Sequence, residues 1–523
     1  MRPNKAIHCL LSCALFGWMA AAPAAAEERE IAFDIFEYRV EGNTVLPAAR
    51  IEEVVYPFLG EARGMDAVEQ ARSALEKAYH AIGYLTVSVN IPEQKVEGSA
   101  VRLQVEEGRV ERLRVVGSRY YSLGAIKARV PELAEGSVPY FPAMQAQIAG
   151  VNTTPDRQVA PVMRPGKSPG KVEVDLKVQD QLPFHGGIEL NNRYSANTTH
   201  TRLNGSVRYD NLWQRDHSLS FSFQTTPENT RETRVLATTY LVPADGDYWA
   251  IYGVLSRSNV AAVGDVSVIG NGNIFGLRYI HPLPALETYS HSLTLGADRK
   301  DFQETTVLQG ADSFNTPIAY TPLFGGYDAN WQAESSTTQV NLGATLSVRG
   351  LGNDVQEFAD KRFLAKPDFA HLRADLKHTQ QLPKTWQMFA RVSGQVSGGP
   401  LISSEQFAIG GADTVRGYPE SSAMGDQGVF GTLELRTPPL AKYFASQPGE
   451  LYAFAFYDRG RVGIAEPLPA QTETFDLASA GLGLRLKKWR GVSGELNYAR
   501  ALMQSGQVRS GDARLHFQIG YDW

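Results

Sequence analysis

From residue 183 onward the chain alternates apolar and polar residues in one segment after another, each about 10 to 14 residues long. In the last of them Leu515, Phe517, Ile519, Tyr521 and Trp523 share one face, and His516, Gln518, Gly520 and Asp522 the other. A period of two describes a strand whose faces meet different surroundings. Clear segments fall at 187–195, 201–213, 217–224, 233–242, 248–256, 273–281, 291–301, 339–348, 371–379, 386–396, 429–437, 451–458, 475–486, 492–499 and 514–523. A weaker one within 318–331 brings the number to 16. The 341 residues of this region then give about 21 to each strand and its connection, which suits tilted membrane strands with short turns at one end and longer loops at the other. An even number lets one antiparallel chain close on itself, whereas a soluble all-β region of this length would split into two sandwiches. Tyr209, Trp213, Tyr248, Trp249, Trp331, Trp386, Tyr452, Trp489 and Trp523 sit near segment ends, as interfacial girdles require. The aromatic C-terminal residues Phe517, Tyr521 and Trp523 read as a barrel-terminal assembly signal.

Before residue 183 the texture is different. Residues 36–43 alternate as a strand, and 47–58 and 65–82 read as helices, the second with Val68, Ala71, Leu75, Ala78 and Ala81 at helical spacing. Gly83 follows as a left-handed cap, then strands at 84–91 and 100–105. The order repeats. Arg39-Val40-Glu41-Gly42 is echoed 75 residues later by Arg114-Val115-Val116-Gly117, and Val101-Arg102-Leu103-Gln104-Val105 is echoed 73 residues later by Val174-Asp175-Leu176-Lys177-Val178. Two copies of a β-α-α-β-β unit are expected, over 35–107 and 108–182, ahead of the barrel at 183–523.

The N-terminus adds a compartment. Arg2 and Lys5, an apolar run and Ala24-Ala25-Ala26 predict a cleaved secretory signal over 1–26, with a short segment at 27–34 after it. Leu10-Leu11-Ser12-Cys13 offers a lipoprotein site, but the apolar run continues past it and the alanine site fits better. Both cysteines, Cys9 and Cys13, fall inside the removed segment, which excludes disulfides, thiolate metal ligands and cysteine catalysis from the mature chain. No later apolar run reaches the length of a spanning helix, so a secreted chain of this kind crosses a bilayer only as a closed barrel. The net charge of −5 argues against nucleic acid. The ten histidines show no H-x-x-x-H, and no nucleophile elbow or phosphate loop is present. No enzyme, metal or cofactor is expected.

Two polar residues stand out in the barrel region. Arg416 lies in the Gly- and Ser-rich connection at about 398–427, within Val415-Arg416-Gly417-Tyr418; a connection of that length has a task or is disordered. Asp458 ends Phe456-Tyr457-Asp458 in the next strand but one. By themselves they read better as an exposed loop arginine and a strand-ending aspartate than as a pair. Together they resemble the tip motif of the long sixth loop and the F-x-D of the thirteenth strand in the two-partner secretion transporters, outer-membrane proteins of the superfamily that includes the barrel-assembly factor. Gly83-Tyr84, Ile91-Pro92-Glu93-Gln94 and Val105-Glu106-Glu107-Gly108 resemble the end of that family's first periplasmic POTRA domain. Asn152, Arg157, Val159, Pro165-Gly166, Gly170 and Asp175-Leu176 resemble its second, and Asn191-Asn192-Arg193-Tyr194-Ser195 and Asp210-Asn211-Leu212 fall where the first barrel strands begin.

The resemblance implies two POTRA domains in the periplasm, a 16-stranded barrel in the bacterial outer membrane, and a long loop folded into the bore with Arg416 latched to Asp458. Period-two counting then puts Tyr452, Phe454, Phe456 and Asp458 on the inner face. It also implies a function: export of a large secreted partner protein, held unfolded by the POTRA domains, by a monomer surrounded by outer-membrane lipids and inserted by the barrel-assembly machinery. An assembly or insertion factor is the rival within the superfamily, and a passive porin the rival outside it. Several family members carry a pore-plugging helix before the first POTRA domain; residues 27–34 leave no room for one, so closure would rest on the loop. The identity of the cargo is not encoded in any motif.

Overall fold

The computed structural model describes residues 32–523 except 97, 259, 264, 265, 270, 308–312, 353, 441–449 and 470; the signal segment and residues 27–31 lie outside the described residues. The chain divides into two compact units, one holding the residues up to Ser118 and Ile126–Asp180, the other Arg119–Ala125 and Gln181–Trp523.

The first unit contains one topology twice. Glu37–Glu41 pairs parallel with Ala100–Glu107, which pairs antiparallel with Val87–Asn90. Arg109–Val116 pairs parallel with Lys171–Asp180, which pairs antiparallel with Arg157–Pro165. In the first copy the helices Ala48–Val55 and Met65–Ala81 supply the cover. The longer one buries Val68, Ala71, Leu75, Ala78 and Tyr79 against Val87, Val89, Val101, Leu103 and Val105 of the sheet. It stops where Gly83 turns left-handed, at φ +106°, and a Cβ there would lie 2.7 Å from Pro142 Cδ. The strand expected at 36–43 is Glu37–Glu41, which starts the main sheet; a further short strand not expected from the sequence, Phe33–Ile35, pairs with Gly60–Arg63 in a small sheet of its own. The apolar positions change phase between the two strands, from 33 and 35 to 36, 38 and 40, so the break is marked in the sequence. In the second copy Asp175 receives Arg114 through two bonds, Nε at 2.8 Å and Nη2 at 3.1 Å, and also Arg164. The Arg114 fork, with Arg164 beside it, holds the Asp175 carboxyl below the usual carboxylate range.

The second unit is a closed antiparallel barrel of 16 strands. Sequential neighbours pair throughout, and the last strand, Ala513–Asp522, returns to the first, Phe184–Asn191, with Gln518 opposite Asn191 and Asp522 opposite Gly187. The weak segment at 318–331 is the eighth strand, interrupted at Thr321 into Ser313–Tyr320 and Pro322–Gln332, both paired with the seventh, Tyr289–Val307. Apolar side chains on the outer face are exposed along the wall, among them Leu295, Phe275, Leu482 and Ile519 at 60–65%. That is the surface a bilayer would cover. Trp213, Trp249, Trp331, Trp489 and Trp523 are also exposed, but Tyr452, expected in the same girdle, is 5% exposed. It points inward, where its hydroxyl accepts from Arg485 at 3.1 Å. Proximity to a strand end misassigned it; parity with Asp458 places it correctly.

Candidate functional site

The eleventh strand ends at Ser397 and the twelfth begins at Gln427, so the intervening loop covers 398–426. Its two limbs form a short antiparallel hairpin, Phe407–Ile409 with Ala423–Gly425. Ile409, Val415 and Tyr418 in this loop are completely buried, packed with Phe430, Val462, Leu477 and Ala501 of strands twelve to fifteen. A loop with its own apolar core against the inner wall is a structural element, not a solvated connection.

Arg416 sits at its tip, 3% exposed, and Asp458 on the thirteenth strand, Glu450–Gly463, is fully buried. The guanidinium addresses the carboxylate as a fork, Nε to Oδ2 at 2.8 Å and Nη2 to Oδ1 at 2.7 Å, and the Arg416 backbone N–H donates to Oδ2 at 3.0 Å. Its third nitrogen, Nη1, donates to Glu434 Oε1 at 2.8 Å. The guanidinium carbon lies 3.5 Å from the Phe456 ring centroid. The spacing of Phe456 and Asp458 thus has a physical basis: two inward residues of one strand offer a flat π-face and, one step along, a carboxylate edge to the same cation. The ring can lie against the wall because its neighbour across the ladder is Gly481, where a Cβ would come within 2.5 Å of Phe456 Cζ.

The other tip residues are held as firmly. Gly417, at φ +92°, donates its N–H to His516 Nε2 at 3.0 Å. Tyr418 donates its hydroxyl to the carbonyls of Met503 at 2.7 Å and Ala478 at 3.0 Å. Val415 packs in the loop core. Phe517, Tyr521 and Trp523 are elsewhere, on the outer side of the last strand, where Trp523 exchanges backbone hydrogen bonds with Gly186 at 3.0 and 3.3 Å.

Sequence reading missed several members of this arrangement. Glu434, 3% exposed, bridges Arg416 to Arg436, which donates to it at 2.7 and 2.9 Å, and Arg485 approaches at 3.6 Å. The signal was present in Leu433-Glu434-Leu435-Arg436, where charged residues alternate with leucines, but nothing in it identifies the partner. Arg193, after the first strand, reaches Asp413 at 2.5 Å, and Tyr194 accepts from the Glu420 N–H at 3.0 Å. At the root of the loop Asp426, 1% exposed, takes Arg362 through two bonds at 2.5 and 2.6 Å, plus the N–H groups of Leu401 at 2.8 Å and Ala465 at 2.7 Å. Glu405, on the incoming limb, accepts from Lys300 at 2.7 Å and Tyr320 at 2.6 Å. The loop is therefore fixed at tip, limb and root by buried charges whose partners lie on the wall or on another loop.

Both parts of the chain have counterparts among known proteins. Residues 170–486 match the haemolysin secretion/activation protein family ShlB/FhaC/HecB, and residues 33–108 match its ShlB-type POTRA domain. The chain belongs to this family. Among curated relatives, the outer membrane transporter CdiB of Dickeya dadantii is 23% identical over 77% of this chain and 72% of its own length. The heme/hemopexin transporter protein HuxB of Haemophilus influenzae is 21% identical over 79% and 74%. Among solved structures, CdiB from Escherichia coli superposes with a TM-score of 0.60 at 18% identity, covering 97% of this chain and 93% of that one. BamA from Haemophilus ducreyi lacking POTRA domains 1–3 gives 0.56 at 14% identity, over 94% and 100%, a likeness of fold alone. As a family member the chain is an outer-membrane transporter of the two-partner secretion type, with its POTRA region in the periplasm. The chain enters the barrel from that region at Phe184, so turns after even-numbered strands face the periplasm and loops after odd-numbered strands, including 398–426, face outward.

Proposed function

We propose that this chain exports one large exoprotein, unfolded, through its own bore, and that the loop 398–426 is the gate, closed by Arg416 on Asp458. One observation carries the gate: a guanidinium in a loop tip, 3% exposed, with a carboxylate, a second carboxylate and an aromatic face all supplied by barrel strands. A loop serving only to connect two strands has no reason to bury a charge in the bore. Each POTRA sheet keeps two outer strands, Glu37–Glu41 and Val87–Asn90 in the first, Arg109–Val116 and Arg157–Pro165 in the second. An extended cargo segment can add to such an edge by main-chain hydrogen bonds, which suits a substrate kept unfolded. The transporter works as a monomer in outer-membrane lipid. Phe517, Tyr521 and Trp523 are the residues we assign to recognition by the barrel-assembly machinery during insertion.

The test is secretion of the cognate exoprotein by cells carrying Arg416→Ala or Asp458→Ala, with assembly verified by heat-modifiable gel mobility. Export is expected to fall in both. Normal export from two correctly assembled variants would remove the latch from the mechanism.

A further inference from the structure

The outer wall carries a feature that transport does not use. Across the first seven strands runs a groove of about 850 Å³, walled by Ile188, Phe221, Phe223, Leu236, Leu255 and Phe275. It is a depression because Gly205 and Gly253, among its lining residues, place no side chain there. Leu236 and Leu255 are Cα partners on the fourth and fifth strands, Arg234–Ala244 and Asp247–Arg257, and stand 56% and 57% exposed. Two residues nearer the outer end, on the same face, Arg234 and Arg257 are also Cα partners, and both are exposed.

This pair is out of place on a bare barrel. Like charges directly opposite in an antiparallel ladder repel, and a guanidinium on the lipid face is tolerated only toward the interface. Among the described residues no carboxylate pairs with either arginine. Arg234 spends only Nε, on the Thr230 carbonyl at 2.8 Å. A third guanidinium, Arg299, lines the groove's other end; its Nη1 donates to the Gly352 carbonyl at 2.8 Å. Asp301 lies beside it as the carboxylate of the lining.

We propose that this face binds a phosphate-bearing, acylated lipid of the outer leaflet, its phosphate bridging Arg234 and Arg257 and an acyl chain lying in the groove below. Charge complementarity selects the occupant. One multivalent anion placed between two forks turns their repulsion into two bidentate contacts. The Leu236–Leu255 pair immediately beneath continues as an apolar trough on the same face. A free anion would leave the trough unfilled, and a neutral lipid would leave the arginines unpaired.

The full chain in phosphatidylcholine nanodiscs is titrated with bisphosphorylated lipid A, with the same lipid after removal of its phosphates, and with inorganic phosphate. Lipid A is expected to bind more tightly than the dephosphorylated form, and Arg234→Ala/Arg257→Ala to weaken it about tenfold or more while sparing the dephosphorylated form. Leu255→Trp, which fills the trough and keeps both arginines, is expected to weaken both lipids. Unchanged lipid A binding by the folded double-arginine variant overturns the proposal. Inorganic phosphate binding as tightly as lipid A also overturns it, because the site would then be one for free anions.

Discussion

Removing the Arg416 side chain is the sharpest perturbation of the gate. In Arg416→Ala, Asp458 loses both guanidinium bonds and the cation over Phe456, and keeps only the residue-416 N–H at 3.0 Å and the Ser479 hydroxyl at 3.4 Å. Glu434 loses one donor but keeps Arg436 at 2.7 and 2.9 Å. The cost therefore falls on Asp458, a fully buried carboxylate left without its counter-ion. Breaking a buried pair from one side costs roughly 3–5 kcal/mol. At about 1.4 kcal/mol per factor of ten, this shifts the closed-to-open ratio of the loop by roughly two to three and a half powers of ten. Asp458→Ala should cost less, because Arg416 keeps Glu434 and the Phe456 ring. The assay is the open fraction of single channels in planar bilayers for the parent, each single variant and Arg416→Ala/Asp458→Ala. The double variant is expected to open less than Arg416→Ala, and far less than the sum of the singles, since no orphaned carboxylate remains at 458. Additive effects, or an open fraction unchanged in Arg416→Ala, would refute the reasoning.

Three further outcomes follow from the same geometry. A Cβ on Gly460 would lie 3.1 Å from Ile409 Cδ1, Val415 Cγ2 and Phe430 Cβ, so Gly460→Leu should push the loop off the wall at a cost of about 1–3 kcal/mol, seen as protease cleavage within 398–426 in intact cells. Asp426→Ala leaves the N–H groups of Leu401 and Ala465 without their acceptor and takes from Arg362 its carboxylate partner, leaving it only the carbonyls of Leu401 and Ala465; cleavage should then appear at the loop root, while the Arg416 contacts persist in crosslinking between positions 417 and 516. In the POTRA region the lowered Asp175 pKa means its contribution is complete above the ordinary carboxylate range and is lost as the pH falls through the lowered value. Hydrogen exchange over Lys171–Asp180 in the full chain should therefore rise on acidification, and Asp175→Asn should abolish that rise.

Much of the architecture was legible because it depends on local period. Outward leucines and inward polar residues alternate whatever the strand's neighbours are, so Leu433 and Leu435 announce a two-faced strand without any knowledge of the barrel. The same counting placed Phe456 and Asp458 on one face and, through the family pattern, joined Asp458 to Arg416. It failed where position along a strand was substituted for parity, as at Tyr452, and it passed over the short strand Phe33–Ile35 that precedes the one read at 36–43. Glu434, His516, Asp426 and Arg362 carry no such mark. Each is one polar residue among many on inner faces or loops, and its importance comes from a partner 18 to 99 residues away.

Sequence alone determined the two kinds of region, the repeated periplasmic unit, the strands and the faces they turn to water or lipid, because these follow from side-chain chemistry at intervals of two and about 3.6 residues. Only the tertiary structure decided which charges meet inside the bore, and that two arginines stand side by side on its outer wall. Closing 16 strands fixes the register of distant segments, and a burial strong enough to hold Arg416 exists only once all of them enclose it.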